Sequence, residues 1–148
     1  MAQVKNIGPS NVPYTQLNRN VPIPCNDRPD GASMILQFGT TPLNDLSIHL
    51  INVLAHDLAN TPGNLEEPAT VNAEYGFIGM GPVRAEEGKP PPPVLTNVEA
   101  GECIDALHDY IVGLPVEKWK ELEWRVSKTV GQGSEREAAV GQLRVKNV

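Results

Sequence analysis

The chain lacks the long apolar run that a membrane-spanning helix needs, about 20 residues. Its most apolar stretch, 46–58, is interrupted by Ser47, His49, Asn52, His56 and Asp57. The opening Met-Ala-Gln-Val-Lys-Asn has no apolar segment behind its lysine, so no signal peptide is expected. Positive charge is scarce. Residues 1–95 carry 5 basic and 9 acidic side chains and residues 96–148 carry 7 and 9, which gives a net charge of −6 and no basic stripe. Neutralising a phosphate backbone needs such a stripe, so direct nucleic-acid binding is not expected. Aromatic residues are few, with two Trp, two Phe and three Tyr. The two cysteines, Cys25 and Cys103, form no secreted framework, and whether they are bonded is left open by the sequence.

Motifs for chemistry are also missing. Asp45, His49, Asn52 and His56 share one side of a candidate helix. Two turns separate the histidines, about 10 Å along the axis, too far for two bonds to one metal ion. Cys103 and His108 are five residues apart, about 140° around a helix, so they do not form a thiol–imidazole pair there. Glu66-Glu67 and Glu86-Glu87 read as solvated loop carboxylates. Gly131-Gln-Gly133-Ser134 lacks the Lys-Ser/Thr ending and preceding strand of a phosphate loop. No catalytic residue, metal or cofactor is expected.

What the chain does have is proline and helical periodicity. Residues 1–33 hold five prolines and seven Asn or Asp without apolar period, and read as an extended arm. A compact domain is expected over 34–148. Met34–Phe38 reads as a strand. Thr41-Pro42 would cap and start a helix running to about Asn60, stopped by Thr61-Pro62-Gly63. Residues 61–96 read as an irregular connection with a weak strand or hairpin over 75–83. Pro90–Pro93 reads as a polyproline spacer of about 12 Å. Thr96-Asn-Val-Glu99 is a capping box that opens a second helix, closed at Gly113-Leu114-Pro115 by a left-handed glycine.

A third helix is expected from Pro115 to Val130, with Trp119, Leu122, Val126 and Val130 inward. Ser134-Glu-Arg-Glu137 would open a weak fourth, with a closing strand near 142–148 as the alternative. The expected class is therefore mainly α, with α+β as the alternative: a bundle of three to four short helices, a minor sheet from 34–38, 75–83 and 142–148, and the long arm.

On that helical count Trp124 lies about 140° from Trp119, among Glu117, Lys120, Glu121 and Lys128. A Trp on a charged face marks an interface, because it buries large area at little entropic cost. Trp124, Lys120 and Lys128 are thus candidate contact residues, together with Tyr14, Val21 and Ile23 of the arm. The layout of arm plus compact domain is similar in style to virion accessory proteins. It implies a non-enzymatic assembly subunit of a virion, of the capsid cement, decoration or head–tail connector kind, binding copies of itself or a major capsid-like protein. The alternatives are a small cytoplasmic adaptor that binds one protein, and a hydrolase whose site combines Cys103 with His49 or His56.

Overall fold

The computed structural model describes residues 23–25, 32–130 and 134–146. They form one six-stranded antiparallel sheet with two helices. In chain order the elements are β1 (Ile23–Pro24), β2 (Ala32–Pro42), α1 (Asp45–Ala59), β3 (Ala69–Ala73), β4 (Gly76–Pro82), α2 (Asn97–Val112), a single 3₁₀ turn at Val116–Lys118, β5 (Lys120–Val130) and β6 (Ser134–Val145). The strand order is β1-β2-β5-β6-β4-β3. This overturns the expected helical bundle. Two helices remain, and the segments assigned to a third and a fourth helix are β5 and β6.

The period of burial explains the correction. Along β5 the residues Leu122, Trp124 and Val126 are all buried. They alternate, as a strand with one face on a core requires. Leu122 and Val126 also fit a helical stripe; Trp124 fits only period two. In β6, Ala139, Gly141 and Leu143 oppose Val126, Trp124 and Leu122. Pairing with β5 from Ser134 onward, joined by β4 from Ala139, overrides the local Ser134/Glu137 capping signal. The three segments proposed for a minor sheet fall on β2, β4 and β6, which belong to the main sheet.

α1 and α2 pack on each other and on one face of the sheet. Leu50, Ile51, Leu54 and Leu58 from α1, with Cys103, Ile104, Leu107 and Ile111 from α2, meet Met34, Leu36, Phe38, Ile78, Met80, Leu122 and Trp124. The Phe38 and Tyr110 rings lie 6.4 Å apart, centroid to centroid. α1 is capped by Asn44 and Ser47 rather than Thr41, because β2 runs on through Pro42. The Thr96/Glu99 box at α2 is formed as read, both its bonds at 3.0 Å. Gly113 stays right-handed at φ −77°, whereas Gly63 after α1 takes φ +91°, a value that glycine adopts without strain.

Cys25 and Cys103 are joined by a disulfide, with Cα atoms 4.3 Å apart, which ties the turn after β1 to α2. Arg136 donates to the carbonyls of Pro91 (2.8 Å) and Pro90 (2.9 Å), and Lys128 donates to that of Val94 (3.0 Å). The polyproline stretch is therefore a strap pinned by its backbone against the β5–β6 end of the sheet.

Candidate interaction surface

β3 is five residues long, Ala-Thr-Val-Asn-Ala, and forms one edge of the sheet. Ala69, Val71 and Ala73 are half-buried and Thr70 and Asn72 are exposed, the alternation of a strand with one covered face. On one side β3 pairs residue for residue with β4, from Ala69↔Met80 to Ala73↔Gly76. Among the described residues no strand pairs with its other side. Natural edges are usually blunted by lysine, proline or a bulge; β3 contains none of these. The opposite edge is β1, only two residues long, whose Ile23 and Pro24 oppose Met34 and Ser33 of β2.

Beside the start of β3 lies a cleft of about 420 Å³ between the end of α1, the loop 60–68 and the start of α2. Its rim is built by Asn97. The Asn97 side chain donates to the carbonyls of Pro62 and Asn64, each at 3.2 Å, while its backbone amide donates to Gly63 at 2.9 Å. Leu65 N–H donates to Leu95 O at 2.8 Å and closes the same loop onto the strap. That anchoring presents Asp57, Glu66 and Glu67 around the cleft mouth. All three are exposed, and no hydrogen bond or ion pair engages their carboxylates among the described residues.

A second, apolar groove of about 200 Å³ runs over the sheet face away from the helices, with Phe77, Val140, Pro68 and Pro82 as walls over Gly79 and Gly81. On that face Glu123 is 1% exposed. Its Oε2 accepts from Arg144 at 2.8 Å, and its Oε1 has no hydrogen-bond partner among the described residues. Arg144 also donates from Nε to Gln142 at 3.0 Å. This is a buried ionic cross-link between β5 and β6, and it holds no reactive constellation.

The residues singled out in the sequence are placed apart. Trp124 is 1% exposed, in the core of its own chain; the charged helix face on which it was counted does not exist, because its segment is a strand. Lys120 begins β5 opposite Pro42, half-buried. Lys128 is paired with Glu99 at 3.0 Å. Ile23 lies in β1 against the core. Tyr14 and Val21 lie outside the described residues, as does most of the arm. Asp45, His49, Asn52 and His56 stay on the exposed side of α1, and among the described residues no three His, Cys, Asp or Glu side chains group as metal ligands. The Cys103 sulfur is bonded to Cys25, which leaves no thiol there for nucleophilic attack.

β3 and its cleft were missed in the sequence. The alternation of Ala69, Val71 and Ala73 with Thr70 and Asn72, followed by a two-residue turn before Gly76, was the available signal. No family model, curated protein or solved structure matches the chain.

Proposed function

We propose that this protein is a non-enzymatic structural subunit of a larger particle, of the virion accessory kind, in a cement, decoration or connector role. The observation that carries the reading is the β3 edge: five residues without lysine, proline or a bulge, whose outer side pairs with no strand among the described residues. Such an edge accepts an extended segment from another chain by strand addition, in which main-chain hydrogen bonds give affinity. The composition of residues 1–33, five prolines and seven Asn or Asp without apolar period, supports the same reading, because it offers little for a core of its own. Protein subunits are the partners, and no membrane or nucleic acid is involved.

The test is sedimentation of an extract from the native source through a density gradient, followed by quantitative mass spectrometry. The chain is expected in a fast fraction, at a fixed ratio to one major protein, after nuclease treatment and salt washing. Recovery only at the position of a free 16.0 kDa chain overturns the assembly reading. Recovery in a slow complex with a single partner favours the cytoplasmic adaptor instead.

A further inference from the structure

We infer that the β3 edge pairs with the β3 edge of a second copy of this chain, antiparallel across a two-fold axis at Val71, so that two six-stranded sheets become one continuous sheet; this rests on the assembly reading above and names its building unit. The first support is which backbone groups point outward. β3 turns into β4 through two residues, Glu74 and Tyr75, and Ala73 pairs with Gly76. A two-residue hairpin closes on a hydrogen-bonded pair, and bonded and non-bonded pairs alternate behind it. Ala69, Val71 and Ala73 therefore direct their amides and carbonyls to β4, and Thr70 and Asn72 direct theirs to the outer side. An axis at Val71 sets Thr70 opposite the partner's Asn72 and Asn72 opposite the partner's Thr70, two bonded pairs in which every amide meets a carbonyl. An axis at Thr70 would bring Pro68, which has no amide, into a bonded position, and an axis at Asn72 would bring in Glu74 of the turn.

The second support is the side chains. Ala-Thr-Val-Asn-Ala is nearly palindromic about Val71. Ala69 and Val71 pair with Met80 and Ile78 of the core, so they lie on the helix-facing side. There the half-buried Val71 meets the partner's Val71, and Ala69 meets the partner's Ala73. On the other side the Thr70 hydroxyl faces the partner's Asn72. Lys146 donates to the Asn72 side-chain oxygen, which leaves the Asn72 NH₂ group to donate across the axis. α1 packs on β3 and β4. The axis thus turns α1 toward its counterpart and adds area to a contact that five residues a side would leave below the usual interface size.

The third support is charge. β3 itself carries none, and the register sets Glu74 opposite Pro68 and Glu67 opposite Tyr75, so no carboxylate stands directly across from another. The end of one β3, where Lys146 lies on Asn72, comes to the start of the other, which follows Glu66 and Glu67. The outer side of β2 over 35–42 also pairs with no strand among the described residues, but it is the less fit edge. Its register breaks between Phe38 and Pro42, it ends in that proline, and β1 fills the lane beside Ser33 and Met34. A bulge and a proline are devices that blunt an edge. The same patch on both copies makes the β3 contact isologous, so it closes as a dimer.

The experiment uses the full purified chain. Sedimentation over a wide concentration range is expected to give a reversible dimer, twice 16.0 kDa. Thr70→Pro removes an outward amide that the β3–β4 ladder does not use, and is expected to give a folded monomer. Thr70→Lys with Asn72→Lys, and Thr70→Glu with Asn72→Glu, each set like charges across the axis. Each is expected to be monomeric alone, and their equimolar mixture to form a heterodimer. Positions 70 and 72 are exposed, and circular dichroism verifies that the variants fold.

Cross-linking reads the axis itself. The native cysteines are bonded to each other, so a thiol introduced into β3 is the only one. A non-bonded antiparallel pair holds its Cα atoms about 4.5 Å apart, within the span of a disulfide. Val71→Cys is expected to form an intermolecular disulfide on mild oxidation, and Thr70→Cys, offset along the strand from its own counterpart, to form far less. A wild type that stays monomeric at every concentration, equal cross-linking at 70 and 71, or a Lys/Glu mixture without a heterodimer overturns the inference. If a chain that is monomeric here is nonetheless found in particles in the gradient, the assembly reading stands and only the partner at β3 is wrong. A dimer here with no particle in the gradient upholds the pairing and overturns the assembly reading.

Discussion

The indole of Trp124 on β5 occupies the space above Gly141 on β6 where a side chain at position 141 would stand. The two residues are cross-strand partners on the helix-facing side of the sheet. A large aromatic laid over a bare glycine backbone fills the layer between the central strands and the helices, an arrangement known to offset the weakness of glycine in a strand.

Gly141→Ala should therefore be among the most damaging single-methyl additions in the chain. Its Cβ would fall inside the ring of Trp124, and the surrounding core leaves the indole nowhere to go. Overpacking of this kind costs about 1–3 kcal/mol or more. Trp124→Ala should cost about 3–5 kcal/mol by leaving a cavity. The two changes touch the same volume, so Gly141→Ala combined with Trp124→Ala should cost clearly less than the sum of the singles. Denaturant melts of the four proteins measure this. Additive costs would mean that the ring moves aside freely.

That pair also shows where the fold was legible. The start and extent of helix α2 could be read because its signals are local, a capping box and apolar spacings of three and four, although Gly113 behind it stays right-handed. Strands β5 and β6 were hidden because Leu122 and Val126, four apart, satisfy a helical stripe as well as an alternation. The one residue that separates the two periods is Trp124. Its position on the wrong side of a helix was a sign of period two rather than of an interface. β3 carries only Ala, Thr, Val and Asn, too little hydrophobic contrast for alternation to stand out, so the candidate surface was not visible. The acidic cleft depends on Asn97 drawing the 62–64 loop onto α2, a contact 33 to 35 residues long in sequence, which no local pattern reports.

Reduction of the Cys25–Cys103 disulfide should lower stability by about 4 kcal/mol, the chain-entropy value for a closed loop of this length, with 78 residues separating the cysteines. The loss should be local at first. β1 holds only two residue pairs to β2, so its contacts should open while the rest of the sheet persists. Amide exchange with and without reductant is the check: Cys25 N–H, bonded to Ala32 O at 2.9 Å, should lose protection before the amides of β5 and β6. Uniform loss across the sheet would show that the bond supports the whole fold.

Glu99 should make an acid-sensitive contribution to stability. Burial raises its pKa, but hydrogen bonds from the Thr96 amide and hydroxyl and from Lys128, with the charge of Lys128, outweigh this and hold it below its ordinary value of 4.5. A carboxylate with a lowered folded pKa contributes stability that is complete above 4.5 and is lost as pH falls through the folded value. Glu99→Gln keeps an acceptor for the capping box and removes only the charge. It should cost about 1 kcal/mol at neutral pH, and the difference from wild type should close as pH falls below 4.5. Thermal melts between pH 7 and 3 test the sign; a gap that widens on acidification would refute the assignment.

Arg144 should matter more than any other surface cation, because of what it leaves behind when removed. Glu123 is 1% exposed, and one of its oxygens already lacks a hydrogen-bond partner among the described residues. The other is held by Arg144 at 2.8 Å. Glu121 competes little for that guanidinium: it lies 4.0 Å from it and accepts instead from the Val145 amide at 2.6 Å. Removing one partner of a buried pair strands a desolvated charge, at a cost of about 3–5 kcal/mol, whereas replacing both by apolar groups of similar volume is often neutral or stabilising. Arg144→Met should therefore shift the urea midpoint strongly downward. Adding Glu123→Leu should restore most of the loss, so that the double variant is more stable than Arg144→Met alone. Lys128→Met serves as the comparison, because its partner Glu99 is 16% exposed at the side chain and keeps its hydrogen bonds to Thr96. If Arg144→Met and Lys128→Met cost the same, the burial of Glu123 is relieved by water or by movement of β6, and the ionic cross-link between the central strands contributes little to the sheet.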